Sequence, residues 1–131
     1  MISACAKRAV QSLLSLIEAE QPDVVVAEAG TSPHEPYNGA IAMAALAQQV
    51  IFTVLCASDP YAVVGVSQSF GIQPDVVTGV ATSTTAGVEL VEKLTGVLAL
   101  NLAKSAAQEK LLALLKAVLG LSCEDVVNRI G

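Results

Sequence analysis

The chain has 131 residues, the length of one domain, and its 53% apolar and 15% charged residues exclude a disordered tail. Seven Lys and Arg stand against twelve Asp and Glu, a net charge of -5. With aromatics at 3% and no Trp, the chain offers neither a basic stripe nor a base-stacking platform, so nucleic acid is not an expected partner.

Apolar residues recur at helical spacing from Ala4 to Glu20, through Ala6, Val10, Leu13, Leu14 and Ile17, and predict an amphipathic helix stopped by Gln21-Pro22-Asp23. Val24-Val25-Val26-Ala27 runs without alternation, as a strand buried on both faces does. Turn formers follow from Glu28 to Pro33. Pro36 to Ala47 predicts a short helix of small side chains, and Val50 to Cys56 a second buried strand. The stretch from Pro36 to Ser58 carries no charge and approaches the length of a bilayer span, but Asn38, Gly39, Gln48 and Gln49 interrupt it, so no membrane is expected.

Ser58-Asp59-Pro60 is a strong helix start, and that helix runs to about Phe70 with Gly71 closing it. Asp75 to Val80 predicts a third strand. Thr82 to Thr85 supplies caps for a helix from about Ala86 to Leu94, ended by Gly96. Val97 to Leu100 predicts a fourth strand, Ala103 to Leu119 a long amphipathic helix, and Ser122 opens a last one. Gln21-Pro22-Asp23-Val24-Val25 recurs as Gln73-Pro74-Asp75-Val76-Val77, read as one local solution used twice rather than a duplicated unit.

Buried strands alternating with helices predict a single α/β domain over residues 1–131. Its expected architecture is a three-layer α/β/α stack with a mostly parallel sheet of about four strands, Rossmann-like in the broad sense. Ligands of such sheets sit outside the carboxyl ends of the strands. Three loops qualify: Glu28 to Asn38, Ala57 to Tyr61 and Ala81 to Gly87.

From Ala9 to Glu92 there is no Lys or Arg, so an anion on those loops has to be held by backbone N–H groups, hydroxyls, a metal or another chain. Glu28 holds Mg²⁺ through water or orients a nucleophilic water, or else it caps nearby backbone N–H groups. His34, the one histidine, is either a general base or a surface residue. Cys56 is read as a buried structural thiol, or as a thiolate activated at a helix start. Asp59 is most simply an N-cap. Gly30, Ser32, Tyr37, Asn38, Asp59, Thr82, Ser83, Thr84 and Thr85 complete the set of candidate ligand-binding positions. The cysteines Cys5, Cys56 and Cys123 are odd in number and unpaired in spacing, which fits reduced thiols in a cytoplasmic protein. No GxSxG, GxGxxG or Walker A lysine motif occurs.

Asp23 to Gly39 and Val54 to Pro60 resemble the uncharacterised P-loop proteins that include D-glutamate N-acetyltransferase-type members, with Thr82 to Gly87 a weaker match. Glu28, Ser32, Tyr37, Gly39, Cys56 and Pro60 carry the resemblance, while His34 is displaced and Glu35 intervenes before Pro36. The resemblance implies a P-loop-like domain from which the phosphate-binding loop is absent, so that the chain corresponds to the Glu-bearing C-terminal half. A ligand-binding module that is not catalytic alone then follows, with no cofactor bound by this chain and Mg²⁺ or acetyl-coenzyme A belonging to a complete protein. The implied partners are a second copy or an N-terminal P-loop half, together with a small-molecule ligand. The alternatives are acyl transfer to a D-amino acid, with Glu28 or His34 as base, and a structural oligomerisation domain.

Overall fold

The computed structural model describes residues 2–30, 35–36 and 39–121. The chain divides into two compact units, Met1–Val50 and Ile51–Gly131.

The first unit is helical. Helix α1 spans Ile2–Ala19 and packs against α2, Gly39–Leu46. Gln21, at φ 48°, turns the chain out of α1 in the left-handed region. The predicted strand Val24–Ala27 does not form: these residues have no ladder, and Val26 is 92% exposed. An apolar run becomes a strand only when its N–H and C=O groups find a neighbour.

The second unit is α/β. Its order is β1 (Val54–Cys56), α3 (Pro60–Phe70), β2 (Val76–Thr78), a short 3₁₀ turn (Val80–Thr82), α4 (Thr85–Thr95), β3 (Leu98–Ala99) and α5 (Ser105–Leu119). The sheet has three strands in the order β1-β2-β3, all parallel, rather than about four. Val54 pairs with Val76, and Val76 with Leu98.

Helices α3 and α4 pack against each other, and Val63 of α3 and Val91 of α4 share one core with Val77 and Ala99, with Leu55 packed against it. Consecutive parallel neighbours joined by crossovers of one hand put both helices on one face. The expected three-layer stack, with helices on both faces, is thus not shown by these contacts, although β2 is buried on both faces. Val63, Val76, Val77 and Val91 have no exposed surface, and burying each contributes roughly 1.5–3 kcal/mol.

β2 is buried along its length, whereas β1 is an outer strand with Val54 and Cys56 exposed. The expectation of a strand at Val50–Cys56 buried on both faces therefore holds neither in length nor in burial. Leu55 faces the helices and its two neighbours face away, which also leaves Cys56 exposed instead of buried in the core. Asp75 fixes the entry to the sheet: its carboxylate accepts the Thr53 N–H at 2.6 Å while its own N–H donates to the Thr53 carbonyl at 2.9 Å. At the other outer strand, the Glu92 carboxylate accepts the Ala99 N–H at 3.2 Å.

No helix among the described residues is long and apolar enough to cross a membrane. The uncharged stretch contributes only the eight-residue α2. The helix expected from Ser122 lies outside the described residues.

Candidate functional site

The carboxyl ends of the three strands carry three connections: Ala57–Asp59, Gly79–Thr84 and Leu100–Lys104. They are tied together mostly by backbone. The Ala57 N–H donates to the Thr78 carbonyl and the Ala81 N–H to the Ala57 carbonyl, each at 3.0 Å. Gly79 sits between them at φ 92°, and a Cβ there would lie 2.8 Å from the Ala57 oxygen. Only glycine meets both demands, so the first two connections are held in contact. Gly87, in the first turn of α4, is required for close approach alone, because a Cβ on it would run into the Ala81 carbonyl oxygen.

The predicted caps fall into distinct roles. Asp59 is the N-cap of α3, accepting the Tyr61 and Ala62 N–H groups on Oδ1 at 2.9 Å each, with Pro60 opening the helix. The Ser58 hydroxyl donates to Oδ2 at 2.9 Å. The Ala62 bond first, and the Ser58 bond next, hold the Asp59 carboxyl below its usual range. Thr84 caps α4, accepting the Gly87 N–H at 3.0 Å. Thr82 has no exposed surface, and its hydroxyl faces two carbonyls, Leu100 at 2.9 Å and Gly79 at 3.1 Å. It fastens the connections to one another. Ser83 is exposed, and its carbonyl accepts from the Asn101 amide at 2.9 Å. Asn101 in turn accepts the Ala103 N–H at 3.1 Å, which shapes the approach to α5.

An open cleft of about 340 Å³ lies beside these turns, between the start of α4, the end of β3 and the first turns of α5. Val88, Ala99, Leu100, Ala106 and Ala107 give it apolar walls. Thr84, Thr85, Asn101, Lys104 and Lys110 supply its polar groups. Ala106, Ala107 and Lys110 share a face of α5 at helical spacing. The two alanines leave the gap and the lysine reaches its margin. Neither Lys104 nor Lys110 forms an ion pair among the described residues, and no carboxylate lines the cleft.

The expectation of a rim without positive charge is corrected here. The sequence separates Lys104 from Thr85 by a helix and a strand, and the parallel crossover brings them to one cleft. Their meeting is legible only once β3 is known to lie beside β2 in parallel. Asp59 does not line this cleft.

Of the candidates in the first unit, Glu28 and Gly30 lie in exposed coil, and Ser32, His34, Tyr37 and Asn38 lie outside the described residues. No group of three or more His, Cys, Asp or Glu side chains among the described residues is placed to hold a metal ion. No family model, no curated protein and no solved structure matches this chain significantly.

Proposed function

We propose that this chain is a ligand-binding α/β module, not catalytic alone, that takes a small anionic molecule at the carboxyl ends of its parallel strands. One observation carries the reading: Lys104 and Lys110, free of carboxylate partners among the described residues, border an open cleft beside the Thr84–Thr85 turn. Ligands of parallel α/β sheets gather at this side, and a pocket of this volume sits at the small end of the usual range of about 300–1,000 Å³. The parallel strand order and the two crossover helices favour a Rossmann-like relationship. Among the described residues, the titratable groups bordering the cleft are two lysines, with no carboxylate or imidazole beside them to serve as a general base at neutral pH.

Backbone amide spectra of the full chain, titrated with small carboxylates and inorganic phosphate, test the binding claim. Shifts centred on Thr85, Asn101, Lys104 and Lys110 are expected; shifts confined elsewhere, or none, overturn it. Release of free thiol from acetyl-coenzyme A in the presence of D-glutamate tests the non-catalytic claim. The rate stays at that of buffer, and a chain-dependent rate would reverse the reading.

A further inference from the structure

We infer that the cleft is selective for an amphiphilic monocarboxylate, an apolar tail with one anionic head, an assignment that rests on the ligand-binding reading above. The division of its lining argues for this. Ala99 and Leu100 on its wall are 4% and 6% exposed, and Val88 beside them packs against the core, so the deeper surface is hydrocarbon. A fully hydrated inorganic anion gains nothing from such a wall, whereas a hydrocarbon tail does. The cations stand at the margin, Lys104 at the cap position just before α5 and Lys110 within the helix. They meet a head group at the mouth and leave the tail inside. The Thr85 hydroxyl, on the opposite side of the cleft, is a further donor for the head.

Charge sets the valence. The chain carries a net charge of -5, and its field opposes a polyphosphate or any other multiply charged ligand approaching two lysines. A single carboxylate meets less of that opposition than a multiply charged ligand does. The alanines set the size: among the described residues of α5, Ala106 and Ala107 line the wall beside Lys110, and any larger side chain at either would occupy the tail's space.

The test is calorimetric titration of the full chain with butanoate, hexanoate and octanoate, against octylammonium and inorganic phosphate. Affinity should rise about two- to fourfold per added methylene until the cleft is full. Octanoate should bind at least tenfold more tightly than phosphate, and octylammonium should not bind. Lys104→Ala with Lys110→Ala should weaken octanoate at least fivefold; both side chains are exposed, so the fold survives, as circular dichroism will show. Ala107→Leu should abolish binding from the other side of the argument, by filling the cleft. A flat chain-length series, or octylammonium binding as well as octanoate, overturns the inference. Phosphate binding as tightly as octanoate, with the same lysine dependence, also overturns it but leaves anion binding standing. Absence of binding by every anion removes both.

Discussion

The hydroxyl of Thr82, with no exposed surface, lies 2.9 Å from the carbonyl oxygen of Leu100, eighteen residues further along the chain. It joins the turn after β2 to the end of β3, and so fixes one wall of the cleft against another. Thr82→Val keeps the shape and removes the donor, leaving a buried carbonyl short of a partner. The expected loss is about 1–3 kcal/mol in urea denaturation, and Thr82→Ser should restore most of it.

Two glycine substitutions should move stability in opposite directions. At Gly87 an added methyl meets the Ala81 carbonyl oxygen, a rigid backbone atom. Gly87→Ala should cost about 1–3 kcal/mol by overpacking. At Gly65, inside α3, an added methyl meets nothing within 4 Å. Gly65→Ala should gain roughly 0.5–1 kcal/mol through helix propensity. Equal shifts of denaturation midpoint in the two variants would contradict the packing described for the start of α4.

Asp59 should give stability a pH dependence of known sign. Its carboxyl is held below its usual range in the folded chain, first by the Ala62 N–H and then by the Ser58 hydroxyl. The carboxylate's contribution is therefore fully present above the unfolded value near 4 and is lost as pH falls through the lower folded value. Asp59→Asn keeps a capping oxygen without the charge. The stability difference between parent and variant should be constant near neutrality and shrink below about pH 4, measured by urea midpoints across pH.

Cys5 and Cys56 should both be open to a water-soluble alkylating reagent under native conditions, since both are exposed. Mass mapping of the modified peptides checks this. Protection of Cys56 until urea is added would contradict its place on the outward side of β1.

Where the sequence carried its own local chemistry, the fold was legible. The Asp59-Pro60 start and Gly71 stop of α3, and the Thr84 start and Gly96 stop of α4, stand as expected because caps act within a few residues. Strands were less legible. Gln-Pro-Asp-Val-Val occurs twice, yet only the second copy enters a sheet. There Asp75 exchanges hydrogen bonds with Thr53, and Val76 finds Val54 on one side and Leu98 on the other. Val24 and Val25 have the same letters and no ladder. The site is half legible: Thr84 and Thr85 are in view from their hydroxyls, whereas Lys104 and Lys110 lie beyond the cation-free stretch from Ala9 to Glu92, with nothing in the sequence to join them to it. Proximity created by a crossover leaves no local mark.

The two outer strands of the sheet are finished differently. Glu92 occupies the outward N–H of Ala99 on β3, while among the described residues no side chain does this for β1. A margin whose outward N–H is already satisfied is the poorer template for a further strand. If copies of this unit meet strand to strand, β1 is the favoured margin, and two copies joined through β1 form a closed pair.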